Sequence, residues 1–247
     1  MLSDKQLKDF ERDGFLVVKA LYDKNEMEDV LAWTEEVTNF PEVPGKYMMY
    51  FEKSSLDENQ RILSRMEDFE PYHQGFSRLF NDERMKGYTS QLFNEKAVLY
   101  KDKINFKMPG GDGFKAHQDV QAGWDRYAKY HITVLLSVDA STAENGCLEM
   151  AVGQHKQGLI GEQWQPLDED ALNYVSVPTE PGDAVFFDSF APHRSAPNLT
   201  DKARRVLYVT YNRLSEGDQR RQYYQDKRAS YPPDIERDAD KDYVFRV

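Results

Sequence analysis

A chain of 247 residues carrying 43 acidic against 32 basic side chains, for a formal charge of -11, lacks the basic footprint that nucleic acid or an anionic membrane surface requires. Hydrophobic residues make up 40% of the chain and are spread along it, which argues against disorder, and a single cysteine, Cys147, excludes an internal disulfide framework. The length suits one sizeable core, the polar opening Met1-Leu2-Ser3-Asp4-Lys5 has no apolar signal region, and no run is long enough to span a bilayer, so a soluble cytoplasmic protein is expected.

Ser3 or Asp4 can cap a short helix whose Leu7 and Phe10 share a face, and Gly14 is placed to end it. Phe15-Leu16-Val17-Val18 reads as a strand. Asp23 with Glu26 forms a capping-box pattern for a second helix, with Met27, Val30, Leu31, Thr34 and Val37 on one side, and Pro41 and Pro44 stop it. Residues 45–80 mix aromatic and polar residues without a clear period, and a further helix is expected from about Asn81 to Asn94.

From Ala97 the period becomes two. Lys101, Lys103, Asn105 and Lys107 fall on one face of the next strand, and Ile104, Phe106 and Met108 on the other, so the polar face meets solvent or the inside of a polar cavity. Pro109-Gly110-Gly111-Asp112-Gly113 is a turn, and a strand carrying His117 follows. His131 to Val138 alternates again, Asn145-Gly146 signals a hairpin, Pro181-Gly182-Asp183 turns into Ala184 to Asp188, and Arg204 to Asn212 is a last strand. Short strands separated by turns and preceded by helices predict a mainly β fold with flanking helices around a double-sheet jelly-roll core. We expect a single domain over 1–247, with a helical N-terminal layer at about 1–95, the jelly-roll core at about 97–213 and an irregular C-terminal segment at 214–247.

The chemistry centres on Ala116-His117-Gln118-Asp119 and on His193 in Ala191-Pro192-His193-Arg194-Ser195. On an extended strand His117 and Asp119 point to one side and can offer an imidazole and a carboxylate to one ion. A histidine from a neighbouring strand would complete the two-His-one-carboxylate facial triad that binds non-haem Fe(II) and leaves the opposite coordination positions open. His193 lies 76 residues beyond His117, about four strands further on, as a jelly roll would require.

Arg204-Arg205 follows 11 residues after His193. A guanidinium fork there matches the free carboxylate of a keto-acid cosubstrate bidentately. Arg204 shares its strand face with Val206, Tyr208, Thr210 and Asn212, a more polar wall than the Leu207, Val209 and Tyr211 face of Arg205, so Arg204 is the expected contact. His73 reads as a surface or capping residue, His131 as a strand-end residue and His155 as a turn residue, rather than as metal ligands.

In this order and spacing, His117-Gln118-Asp119, Asn145-Gly146-Cys147-Leu148, Gly153-Gln154-His155, Pro181-Gly182-Asp183, His193-Arg194-Ser195 and Arg204 resemble the phytanoyl-CoA dioxygenase family of Fe(II)/2-oxoglutarate oxygenases, over roughly residues 5–215. The resemblance implies a double-stranded β-helix (jelly-roll, cupin-like) core, iron held by His117, Asp119 and His193, 2-oxoglutarate gripped by Arg204 with help from Ser195, further cosubstrate contacts from Asn105 and Thr133, and O₂ as co-reactant. Asp119 matters further, because halogenases of the family lack this carboxylate; its presence implies hydroxylation.

The segment Tyr211 to Asp218, with Tyr223-Tyr224 and Asp226-Lys227-Arg228, is similar to members that hydroxylate small polar substrates, aminophosphonates and amino-acid-like molecules among them. Lys103, Lys107, Lys115, Arg126 and Arg194 put positive charge near the expected cavity mouth and suit a small anionic substrate. Two other classes compete: a jelly-roll protein that only holds a small ligand, and a cupin-like metalloenzyme that does not use 2-oxoglutarate.

Overall fold

The computed structural model describes residues 1–54 and 59–243. Helix α1 (Asp4–Asp13) begins at a reciprocal capping box between Ser3 and Gln6 and ends where Gly14 adopts a left-handed conformation, φ 83°. Strand β1 (Phe15–Val18) follows, and α2 (Lys24–Thr38) opens on the second capping box, Asp23 with Glu26.

Strands β2 (Met48–Lys53) and β3 (Arg61–Glu67) form an antiparallel pair, and α3 (Gln74–Phe80) and α4 (Met85–Phe93) lead into the long β4 (Ala97–Lys107). Then come β5 (Phe114–His117), β6 (His131–Ser137), β7 (Leu148–Met150), β8 (Val175–Val177), β9 (Ala184–Asp188), β10 (His193–Ser195) and β11 (Arg204–Arg213). Helix α5 (Arg220–Ser230) follows the last strand.

Two sheets face each other. The larger has the order β1-β9-β6-β11-β4-β3-β2 and the smaller β5-β10-β7-β8, with antiparallel pairing throughout. This is the mainly β, jelly-roll architecture that the turn spacing predicts.

Alternation along β6 and β11 sorts the interior into two cores. Ile132, Val134, Leu136, Leu207, Val209 and Tyr211 face the helices, where they pack with Phe10, Val30, Phe76 and Phe80. Leu135, Val206, Val185 and Phe187 face the smaller sheet and meet Leu148, Met150 and Val177. A fully buried aliphatic or aromatic side chain contributes about 1.5–3 kcal/mol, so these two layers are the principal source of stability. The inner layer is apolar at one end only; at the other, the same strand faces carry Lys101, Lys103, Asn105, Thr133 and Thr210, which leaves a polar cavity between the sheets.

Two features differ from the sequence expectation. The N-terminal layer is not purely helical: β1, β2 and β3 join the larger sheet at its two ends. The pattern of β2 is obscured because Met48, Met49 and Tyr50 are buried in succession, leaving no alternation to read.

The C-terminal segment is likewise not irregular throughout, because residues 220–230 are helical. Tyr223 and Tyr224 anchor that helix in an aromatic cluster with Met48, Tyr50, Tyr100 and Trp124, and its charged face is satisfied by buried partners. Arg220 pairs with Asp102 at 2.6 Å and Lys227 with Glu67 at 2.6 Å. Residues 55–58 and 244–247, the latter part of the expected irregular tail, lie outside the described residues.

Candidate metal centre

His117 ends β5, and the strand stops there: Asp119 is the first residue of a 3-10 turn, Asp119–Ala122, rather than a strand residue. Gln118 between them is fully buried and fixes that change of direction. Its side-chain amide donates to the Gly158 and Phe190 carbonyls at 2.7 and 2.6 Å, and its carbonyl accepts from the Ile160 amide at 2.7 Å. The middle residue of the motif thus holds the two outer ones in place.

Strand β10 pairs antiparallel with β5 so that His193 lies directly opposite His117, with ring centroids 4.3 Å apart. One ligand atom from each of His117, Asp119 and His193 can be chosen so that all lie within 4.8 Å of one another, and this is the one such group of three among the described residues. Each imidazole is oriented by its other nitrogen. Nδ1 of His117 is 2.7 Å from the Lys115 carbonyl and Nδ1 of His193 is 3.0 Å from the Ala191 carbonyl. A carbonyl only accepts, so Nδ1 carries the proton in both rings and Nε2 keeps its lone pair for an ion. Thr133 donates to Oδ2 of Asp119 at 2.8 Å and shares a 3.0 Å hydrogen bond with Thr210, which orients the carboxylate in the same way.

The electrostatics favour a cation. Burial pushes His117 down to about 3, with the neighbouring His193 adding to the effect, and burial also lowers His193. Burial opposes ionisation of Asp119, but His193 and His117 outweigh it and hold the carboxyl below its usual range. Two neutral imidazoles and one carboxylate are the protonation states that a divalent ion requires.

Ser195, Asn105 and Thr133 line the same inner cavity, of about 30 Å³, together with the three residues of the triad. Arg204 does not line it. Its side chain is buried behind the wall, donating to Ser141 Oγ at 3.3 Å and standing against Tyr208, which does line the cavity. Nε of Arg204 has no hydrogen-bond partner, and the guanidinium has no ion pair among the described residues.

Arg205 points the other way, bonding Asp139 and Glu35. Lys107 lies between Arg204 and Ser195, donating to Ser195 Oγ at 2.9 Å and to the Ala196 carbonyl. Burial, aided by Arg204, pushes Lys107 down to about 7. The remaining histidines stand apart from the group: His131 is buried against Tyr100 and Trp124, and the His155 ring packs on Gly14.

Lys101, Lys103, Phe114, His117, Asp119 and Trp124 border both the inner cavity and a cleft of about 930 Å³ outside it. Arg65, Tyr50, Tyr223 and Lys227 also line that cleft; the sequence singles out Tyr223 and Lys227 only through the likeness of their segment to hydroxylases of small polar substrates, and Arg65 and Tyr50 not individually. They come from β2, β3 and α5, in the two regions where the sequence showed no period. Lys101 was legible only as a member of the polar face of β4.

Residues 10–206 match the family described as phytanoyl-CoA dioxygenase (PhyH). The chain belongs to the phytanoyl-CoA dioxygenase family. It is an oxidoreductase of the dioxygenase type. It is 42% identical to a 2-aminoethylphosphonate dioxygenase from an uncultured bacterium, HF130_AEPn_1, over 98% of this chain and 93% of that one. It is 38% identical to a methylphosphonate hydroxylase of Gimesia maris, over 93% of this chain and 88% of that one.

Among solved structures, EctD from S. alaskensis with 2-oxoglutarate and 5-hydroxyectoine superposes with a TM-score of 0.75 at 19% identity, covering 87% of this chain and 77% of that one. The alpha ketoglutarate dependent epimerase SnoN from nogalamycin biosynthesis gives 0.69 at 19% identity, with coverages of 85% and 82%. A hydroxyectoine-bound protein and an epimerase on one fold illustrate that function must be argued from the site. No helix among the described residues is long and apolar enough to cross a membrane.

Proposed function

We propose that the chain is an Fe(II)- and 2-oxoglutarate-dependent dioxygenase that hydroxylates a C–H bond of a small phosphonate. His117, Asp119 and His193 would hold the iron, because they supply two oriented Nε2 lone pairs and one ionised carboxylate within a single 4.8 Å group. With 2-oxoglutarate and O₂, bound iron supplies the oxidising power that turns C–H into C–OH with release of succinate and CO₂. Everything else falls to the protein.

A buried guanidinium with an unpartnered Nε and no counter-ion among the described residues is costly, and Arg204 is such a group. An incoming dicarboxylate would relieve it, reached alongside Ser195 and Tyr208. Ser195 already accepts from Lys107, so its hydroxyl proton is free to donate. Asn105, whose Oδ1 has no hydrogen-bond partner, and Thr133, which holds Asp119, complete the cosubstrate wall. The substrate class rests on the two relatives named for phosphonates at 42% and 38% identity and on the excess of basic over acidic side chains lining the cleft, seven against five.

The observation that carries this reading is a three-residue group, the one such group among the described residues, facing a cavity backed by an arginine whose Nε has no hydrogen-bond partner. Succinate release in the presence of Fe(II), 2-oxoglutarate and methylphosphonate or 2-aminoethylphosphonate tests it. His117→Ala and Asp119→Ala should reduce turnover to background, and Arg204→Met should raise KM for 2-oxoglutarate by about 10- to 100-fold, the value of one charge-assisted contact. Parent-like rates in either triad variant would overturn the assignment.

A further inference from the structure

Resting on the phosphonate reading above, we infer that Lys103, together with Arg65, Lys101 and Lys227 gathered around the buried Glu67, forms the subsite that binds the anionic head of the substrate. Glu67 is fully buried and draws three cations from three different elements: Arg65 Nε of β3 at 3.0 Å, Lys101 Nζ of β4 at 3.6 Å and Lys227 Nζ of α5 at 2.6 Å. Among the described residues one carboxylate faces these three cations, and a further lysine, Lys103, stands two residues along the same face of β4, where burial and then Lys101 push its ammonium down to about 7. Lys103 has neither an ion pair nor a hydrogen bond to its ammonium among the described residues. Its ammonium rests only on aromatic faces, 4.5 Å from the ring centre of Tyr208 and 5.8 Å from that of Phe114.

The other cations are seated in the same way, Lys101 on Trp124 and Tyr223 and Arg65 on Tyr50, which places them at the cleft wall before any ligand arrives. All four cations line the cleft, and Lys101 and Lys103 border it where it meets His117 and Asp119. An anion arriving beside Lys103 would offset that burial and hold the ammonium charged, and a phosphonate near its second ionisation brings between one and two negative charges and three acceptor oxygens. Lys103 would contact the head group directly. Glu67 is a positioning residue, which holds Arg65, Lys101 and Lys227 at the wall.

The test compares parent, Lys103→Met and Lys103→Arg with Fe(II), 2-oxoglutarate and methylphosphonate. Lys103→Met should raise KM for the phosphonate at least about tenfold while KM for 2-oxoglutarate stays within about twofold, and Lys103→Arg should recover most of the loss. Inorganic phosphate, titrated calorimetrically into the Fe(II)-loaded protein, should bind the parent and bind Lys103→Met at least about tenfold more weakly. Equal phosphonate KM in parent and Lys103→Met, or equal phosphate affinity, overturns the subsite. If no phosphonate is turned over by the parent, the proposed substrate class fails, and the phosphate titration still decides the subsite on its own. Should Lys103→Met lower the thermal midpoint, Lys101→Met takes its place with the same expected and overturning results.

Discussion

Replacing Glu67 by Gln keeps the shape of the side chain and removes a negative charge that Arg65, Lys101 and Lys227 share. Burial opposes ionisation of this carboxyl, but Lys101, Lys227 and Arg65 together hold it well below the usual carboxylate range, so it is charged at every working pH. Breaking a buried ion pair from one side costs roughly 3–5 kcal/mol, chiefly because the remaining charge is stranded. Here up to three charges are stranded, but burial already pushes the Lys227 ammonium well below its ordinary range, so that it can shed its proton, the three side chains keep 10–13% of their exposure, and water admitted along the cleft relieves part of the cost.

The lower end, about 3 kcal/mol, is therefore expected, against a total stability of about 5–15 kcal/mol for a typical domain. For a chain of this size that corresponds to a fall in Tm of roughly 6–12 °C. Circular dichroism melts of parent and Glu67→Gln measure it directly. Adding Lys227→Met to Glu67→Gln should return about 1 kcal/mol or more, because one stranded cation is gone. Millimolar phosphate should also raise the melt of Glu67→Gln by supplying the missing negative charge. A Glu67→Gln melt within about 1 °C of the parent would mean that the three cations are already solvated, and the argument from burial would be wrong.

Two further predictions concern packing and pH. Gly146 has φ 74°, and a Cβ there would drive into the Ala196 carbonyl, whereas Gly45, at φ 79°, has open space around it. Gly146→Ala should thus cost about 3 kcal/mol in urea unfolding and Gly45→Ala only about 1, and equal costs would refute the clash. Lys107 is held near 7 in the fold against an ordinary 10.5, by burial and then by Arg204. Between these values the unfolded chain keeps a proton that the folded chain has shed, so stability should rise with pH from about 7 toward 10.5, by at most about 1.4 kcal/mol per unit from this group. Urea midpoints at pH 7, 8 and 9 should show a shallower rise in Lys107→Met, and an unchanged slope would refute the assignment.

What could be read in advance follows from where periodicity survives. The two-residue alternation of Lys101, Lys103, Asn105 and Lys107 identifies a strand with one polar face, and the strand indeed walls the cavity with Lys101, Lys103 and Asn105. The same argument distinguishes Arg204 from Arg205: one lies behind the cavity and the other pairs with Asp139 and Glu35. Alternation reports only the face of a strand, however, not depth. Arg204 accordingly sits behind Tyr208 rather than in the lining, and Asp119 begins a turn where an extended strand was expected.

The cleft was the least legible part. Helix α5 presents two tyrosines and a lysine to the interior among charged residues, and its hydrophobicity is too low to mark a buried face. What fixes it in place is pairing with Asp102 and Glu67, more than a hundred residues earlier in the chain, and no local pattern encodes such partners.

The register that sets His193 against His117 also has a kinetic consequence. The two imidazoles belong to small-sheet strands 76 residues apart in the chain, so their approach must await closure of a long loop and is among the slower kinds of contact to form. A chain emerging from the ribosome can expose His117 and Asp119 long before their third partner exists. Full-strength metal uptake would accordingly report completed assembly of the small sheet, and a tightly held ion would act as a lock that is fitted only after the walls are standing.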